Sequence, residues 1–567
     1  MSRWAYCLAC LILGLVVLLM GWLVPMHLRA TDLSVIQMAG RKSPALVDQG
    51  LALVDDQRLG PAQLLLEAAQ LEKLPNCDKL EAAVRAQGKD KPGLLVWGSG
   101  EPRLERLFGT DPHTKRTTPE PLVDFVVRLE NRGMVIEFLK ASPRPVAQEL
   151  LLSRNLTNTT IFPASGSSSG QAFDAALSVC GLLLVEGRLT AGLSNTVYNL
   201  VWDANHGANP QRFEQVLLDL MSLSQRLNWG QVASLMGRVE DTETLRLLCN
   251  NMRKDEKQMP VVYAAVLLSG KPVEVVRYLM TYSQTGLRDL GISLHSGSGG
   301  VKELLNRNQR LQISPLRQKA MDLAVVRGVS EVAADYTLHL PWFALGAKWS
   351  FYLVGGFLLA AAVHYSRGPV PTLQRPLQVR GFHFAREFLF ALGFLVVVLL
   401  VSEPFLSQDS QKVDMPFRLR LPTVGSAAAA NPLASKSSIM NQLSLLTLLL
   451  FFVLQALIYI ACLVKLAEIR RQNIVARIKL RLLENEDHLF DAGLYLGFVG
   501  TIISLILVSL GVIKPSLMAA YSSTSFGIIF CSVFKIFHLR PLRRQLVLES
   551  EQPAPTAPAP GRALATP

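Results

Sequence analysis

Two threonines offer the most distinctive chemistry in this sequence. Thr501 and Thr524 stand on consecutive apolar runs, 490–513 and 516–537, joined at Lys514-Pro515 by a turn so short that the runs must form an antiparallel helical hairpin. At ~1.5 Å of rise per residue from that turn, Thr501 lies ~18 Å deep and Thr524 ~13 Å, near the middle of a ~30 Å hydrocarbon layer. Ser504 and Ser523 stand nearby. Hydroxyls at that depth supply donors and acceptors without the cost of a buried charge, which suits a path for protons or hydrated ions. The plainer alternative is that each hydroxyl bonds back to a carbonyl of its own helix.

The same runs carry small residues in stripes. At 100° per residue, Gly493, Gly497, Gly500, Ser504 and Gly511 share one face of the first run, and Ser516, Ala520, Ser523, Gly527 and Cys531 share one face of the second. Small residues let two backbones approach, which is how helices associate in lipid. Helix packing alone therefore accounts for Gly493, Gly497, Gly500, Gly511, Ala520 and Gly527, and leaves the threonines to be explained.

No other segment competes strongly as a site. Gly166-Ser167-Ser168-Ser169-Gly170 satisfies G-x-S-x-G, but it lies in a Ser/Gly/Ala run after Pro163 and reads as a linker, with no nucleophile at Ser168. Ser296-Gly297-Ser298-Gly299-Gly300-Val301-Lys302 has the glycine to cradle phosphate but lacks the G-x4-G-K-[ST] spacing and a preceding strand, so it reads as a plain loop. Of seven cysteines, Cys7, Cys10, Cys462 and Cys531 lie in apolar runs, and Cys77, Cys180 and Cys249 show no metal-ligand spacing. The nine histidines are scattered. The expectation is a protein that is not an enzyme and has no metal and no cofactor.

The elements that position the hairpin follow from composition. The 567 residues are 50% hydrophobic and 18% charged, too apolar for disorder and unusual for a soluble protein. Apolar runs at 4–25, 349–366, 388–407, 442–464, 490–513 and 516–537 predict about six transmembrane helices. The first is longer than the core of a signal peptide and reads as an uncleaved anchor, with a weak cleavage-like match at 27–30.

Of the net charge of +13, a net +10 falls from Gly346 onward, where it flanks apolar runs and forms no aromatic-interleaved patch, so no nucleic acid is expected. The segments 367–387 and 465–488, with the end of the last run, hold 14 of the 21 basic residues of that part. Basic loops stay inside, so these three face the cytoplasm and residues 31–345 face outward, the periplasm in a bacterium.

Residues 31–345 show helical periodicity, as at Leu122, Phe125, Val126 and Leu129, and at Phe213, Val216, Leu217, Leu220 and Met221. Asn209-Pro210 reads as a helix start, Gly230 as a stop, and Gly270 with Pro272 as a joint between two helices. Short joints of this kind predict helical hairpins that stack in a solenoid-like manner. The Pro/Ala-rich residues 549–567 read as a disordered cytoplasmic tail.

Two strings also carry a family likeness. Gly497-Phe498-Val499-Gly500-Thr501 resembles the GLLGT signature of the MotA/TolQ/ExbB proton-channel family, and Ser523-Thr524-Ser525-Phe526-Gly527 resembles its ATxxG pattern in the following span. The resemblance covers residues 440–548. It implies a homo-oligomer around the single spanning helix of an ExbD-, TolR- or MotB-like partner, whose membrane aspartate accepts the proton while Thr501 and Thr524 line the path. That agrees with the absence of a mid-span acid in the last three runs, where Asp491 at the edge reads as a helix cap.

The full expectation is an all-α polytopic membrane protein in five parts: an anchor or signal peptide at 1–30, a large external helical domain at 31–345, two spans with an external loop at 346–439, the three-helix channel-like region at 440–548, and the tail. It would act as a proton-channel-like subunit of a proton-motive-force energiser in the bacterial inner membrane, its external domain meeting a periplasmic partner or the cell wall. The competing expectation is a membrane-anchored envelope scaffold or sensor whose bundle does not conduct.

Overall fold

A computed structural model describes residues 3–102, 121–165, 167, 169–366, 382–404, 442–472, 474–509 and 517–551. The chain is all-α, and its contacts divide it into two compact units, Ala30–His339 and Met1–Arg29 with Leu340–Pro567.

The Ala30–His339 unit is built round helices that are apolar on every side. Gln171–Val185 is buried from Phe173 to Val185, and Met259–Ser269 from Pro260 to Ser269. A helix apolar all round has to lie in an interior, and at 15 and 11 residues neither covers a ~30 Å bilayer at ~1.5 Å per residue. Amphipathic helices surround them, among them Pro210–Ser224, which buries Phe213, Val216, Leu217 and Leu220.

Several buried charges in this unit are met by opposite charges or by hydrogen-bond donors, which offsets their desolvation. Asp174, 3% exposed, meets Arg132 at 3.2 Å and Arg154 at 2.8 Å. Glu214 accepts hydrogen bonds from the backbone of Thr160, Ile161 and Phe162 and from the Thr160 hydroxyl, which anchors the 155–165 loop.

A two-stranded parallel sheet closes the unit, pairing Ala30–Asp32 where the chain enters with Arg310–Gln312 near where it leaves. Asp32 caps the helix Leu33–Gly40 and pairs with Arg317 at 2.6 Å. Asp289 accepts from Tyr278 Oη, Arg310 Nε and the Leu311 amide, and so fixes the second strand to the helix Pro272–Leu294.

Several local expectations are corrected here. Residues 297–302 are the first turns of the helix Gly297–Arg307, not a loop. Their glycines serve close packing: a Cβ at Gly299 would stand 2.2 Å from the Ala39 carbonyl oxygen and one at Gly297 2.5 Å from that of Pro44. Pro44 O and Ser43 Oγ accept from the Ser298 and Gly299 amides, so these amides are occupied within the chain. Gly230 does not stop a helix. It is the second residue of Trp229–Met236, and its missing Cβ admits the Gly98 carbonyl oxygen, 2.4 Å from where that Cβ would be. The Leu122 pattern overshoots, because the helix Leu122–Val127 breaks at Arg128 and leaves Leu129 75% exposed.

Among the described residues of the other unit, four helices are long and apolar enough to cross a membrane: Trp4–Leu23, Pro341–Ser366, Leu448–Arg471 and Tyr521–Glu551. Two further apolar helices, Phe382–Ser402 and Ala492–Ser509, are described over 21 and 18 residues. Arg3–Leu23 lies along Pro341–Ser366, with the Gly14 carbonyl oxygen 3.3 Å from a Cβ placed on Gly355. Phe382–Ser402 packs next to it, with Gly356 against Ala391 and Phe394. The 30-residue helix Gln442–Arg471 joins this group to the C-terminal pair, Ala492–Ser509 and Leu517–Phe534. The last helix, Arg540–Glu551, extends into the segment expected to be tail, and residues 552–567 lie outside the described residues.

Candidate functional site

Ala492–Ser509 and Leu517–Phe534 cross where three glycines meet. A Cβ on Gly497 would stand 2.8 Å from the Ser523 carbonyl oxygen and 3.2 Å from the Thr524 Cα; one on Gly527 would stand 2.7 Å from the Gly493 carbonyl oxygen. Backbone atoms at such distances have little room to retreat, so glycine is what lets these helices touch. Gly500 faces Ser523, whose hydroxyl is 2.4 Å from the ideal Cβ position, and Ser523 is 1% exposed.

That crossing brings the two threonines together. Thr501 Oγ1 and Thr524 Oγ1 lie within hydrogen-bond distance of each other and of one acceptor, Gly497 O, at 3.1 and 3.2 Å, and with one proton each they make two of these three bonds at a time. Within one chain the Thr501 side chain is 8% exposed as a residue and points into the hairpin. The contact between Thr501 and Gly497 is the local bond to the preceding turn; the one from Thr524 crosses between helices. A pair of hydroxyls sharing an acceptor can pass a proton between them with no net charge buried.

The third helix completes the interior. Gln455, 1% exposed, donates from Nε2 to Gly493 O at 2.9 Å. Phe451 approaches Gly500, and Phe452 and Tyr459 pack on Phe526, Phe530 and Phe534. Beside the start of Ala492–Ser509, Asp491 Oδ1 meets Lys535 Nζ at 2.7 Å and accepts from Cys531 Sγ at 3.4 Å, while Tyr459 Oη meets His538 Nε2 at 2.9 Å. Asp491 is thus half of an ion pair, beyond the role of a cap.

Of the residues singled out by the sequence, Thr501, Thr524, Ser523, Gly493, Gly497, Gly500 and Gly527 converge on this crossing. The side chains of Ser504 and Ala520, and the whole of Gly511, lie outside the described residues, as does Ser168.

Sequence reasoning passed over two features. Gln455 is one polar residue inside a run read only for apolarity. Lys348, just before the run 349–366, and Glu403, inside the run 388–407, form a buried pair: Lys348 Nζ reaches Glu403 Oε1 at 3.2 Å, Met26 O at 2.5 Å and His27 Nδ1 at 3.3 Å, and the Leu28 amide donates to Glu403 Oε2 at 2.8 Å. A charge at a span end is a weak signal, since snorkelling explains most such residues; only its burial, 2% exposed for Lys348 and 5% for Glu403, sets this pair apart.

Among the described residues no group of three or more His, Cys, Asp or Glu side chains could hold a metal ion. No family model, curated protein or solved structure matches the chain.

Proposed function

We propose that this chain is a proton-channel-like subunit of a proton-motive-force energiser, of the kind the MotA/TolQ/ExbB resemblance suggests. The observation that carries the reading is the Thr501–Thr524 hydroxyl pair, held on a shared carbonyl by a crossing that only glycine permits. The three helices Gln442–Arg471, Ala492–Ser509 and Leu517–Phe534 form the bundle, and copies of it surround the spanning helix of an ExbD-, TolR- or MotB-like partner. The partner supplies the carboxylate that takes the proton in mid-membrane, and the Ala30–His339 unit meets the driven process outside.

The bacterial inner membrane is the proposed location, with six spans, residues 31–345 in the periplasm and the C-terminus in the cytoplasm. Charge distribution supports this orientation, and Trp342 and Phe343, 72% and 76% exposed at the start of Pro341–Ser366, suit the water–lipid boundary.

The test replaces Thr501 and Thr524 with valine, which keeps shape and removes the hydroxyls. Reconstituted with its partner in vesicles carrying a proton gradient, the double variant is expected to lose flux by roughly tenfold or more; unchanged flux ends the channel reading.

One observation favours the scaffold alternative. Thr501 bonds to the carbonyl four residues back, as a purely structural threonine does. That reading puts a non-conducting bundle beneath an envelope-binding unit. It predicts a monomer or simple dimer by native mass analysis, where the channel reading predicts a ring enclosing a single-span protein.

A further inference from the structure

The helix Ala324–His339 turns small residues inward and large apolar ones outward. Ser330, Ala334 and Thr337 are buried where the helix packs on Leu33–Gly40. Thr337 O accepts from Arg307 at 2.9 Å and Arg41 meets Glu331 at 3.0 Å, which fastens the helix to its unit. On the other side Val325, Val332 and Tyr336 are 80%, 59% and 62% exposed. At ~100° per residue these three fall within ~40° of one another, and the buried three lie ~120–180° from Val325. Half-buried Val329 continues the stripe, and Arg327, Glu331 and Asp335 follow at ~80–160° to one side of it. A helix already packed on its inner face, with an apolar stripe outside and charges beside it, carries a binding surface.

The course of the chain says what covers that surface. Leu340 alone separates this helix from Pro341–Ser366, which is long and apolar enough to cross a membrane. Pro341 has no amide with which to continue the first helix, and Leu340 O accepts instead from the Ala344 amide at 3.0 Å, so a new helix starts there. The stripe is thus tied by a few residues of chain to a membrane-crossing helix. Tyr336 is followed by the exposed Trp342 and Phe343, and aromatic side chains of this kind favour the water–lipid boundary. Size argues against a protein occupant. Three side chains, at no more than ~250 Å² for an aromatic one, fall short of the ~800 Å² a side of a stable protein interface, whereas a bilayer needs no matching surface.

We propose that the Val325–Val332–Tyr336 face docks on lipid, the helix lying in the headgroup–acyl boundary on the side of the membrane that carries residues 31–345. The face is ~16 Å long at ~1.5 Å per residue, and its whole length meets the bilayer. This docking is independent of proton conduction and holds for the channel and scaffold readings alike. It makes the Ala30–His339 unit a body seated on the membrane surface.

The experiment places the photoreactive amino acid benzoylphenylalanine at single positions of the full-length protein in liposomes of phosphatidylethanolamine and phosphatidylglycerol. After illumination, mass spectrometry is expected to find lipid adducts at positions 325 and 332, as at 342 at the start of the span, and none at 327, exposed on the charged side. Crosslinks from 325 or 332 to a second copy of the chain, no adduct at either while 342 reacts, or equal adducts at 327 and 332 overturn the docking. An adduct at 336 without one at 325 also overturns it, since the helix then stands away from the bilayer. No adduct at 342 removes the span and the docking with it. Val325→Glu with Val332→Glu, both at exposed positions, is expected to keep the helical circular-dichroism signal and lose the adduct at 336; an adduct that persists overturns the role of the stripe.

Discussion

The Thr501–Thr524 contact and the bond from Thr524 to Gly497 O need the two helices within reach, so the smallest change that tests the pair is made at a glycine. Gly497→Ala puts a methyl group against the Ser523 backbone, which cannot rotate away. The variant is expected to cost about 1–3 kcal/mol in unfolding by denaturing detergent and to reduce flux as the valine double variant does.

A residue-level prediction in the other unit concerns pH. Burial pushes the Asp219 carboxyl from 3.8 up to about 6, against the opposing hydrogen bond from Gln215 and the charges of Arg246 and Arg253. The fold thus binds a proton that the unfolded chain releases at lower pH. The stability this group contributes is full below about pH 4 and lost as pH rises through about 6. Asp219→Asn is expected to flatten that decline and to raise the thermal midpoint of the full-length protein at neutral pH. Glu214, on the same helix, behaves oppositely. Burial disfavours its charge, but the Thr160 hydroxyl and the Ile161, Thr160 and Phe162 amides outweigh burial and hold its carboxyl below the ordinary value. Its contribution is therefore lost as pH falls.

At the scale of elements, glycines and one ion pair decide which helices are neighbours. Gly14 on Gly355, and Gly356 on Ala391, set the first three apolar helices side by side, and Lys348–Glu403 ties their ends to the Met26–Leu28 segment. Removing one partner strands the other charge. Lys348→Met alone is expected to cost about 3–5 kcal/mol, and Lys348→Met with Glu403→Leu to recover most of it, in a double-mutant cycle of detergent unfolding.

The sequence reading found these helices by apolarity and most of the glycine stripe by angle. It missed Gln455 and the Lys348–Glu403 pair because each draws its meaning from a residue far along the chain: Gln455 from Gly493, and Lys348 from Glu403. It took the glycines at 297–300 for a loop because glycine in a sequence looks the same whether it frees the backbone or makes room for a neighbour. The Ala39 and Pro44 carbonyls decide for the second.

For the whole molecule, the two units follow two solvents. The Ala30–His339 unit hides its apolar helices inside amphipathic ones, and the other exposes long apolar faces. The proposed topology predicts the reactivity of two exposed positions. In cells with a permeabilised outer membrane, an impermeant maleimide is expected to label Lys89→Cys and to leave Glu549→Cys unlabelled until the inner membrane is broken, in a background where Cys77 is serine. Labelling of Glu549→Cys before lysis reverses the C-terminal orientation.

The sequence by itself determined the all-α class, the apolar helices and the small-residue stripes of the last two runs, because these depend on period and hydropathy along a single helix. Tertiary structure decided that the hydroxyls share Gly497 O, that Gln455 reaches Gly493 O from the neighbouring helix, and that Lys348 is buried against Glu403. Those outcomes depend on which backbone comes within about 3 Å of which side chain, a distance that no spacing within one helix encodes.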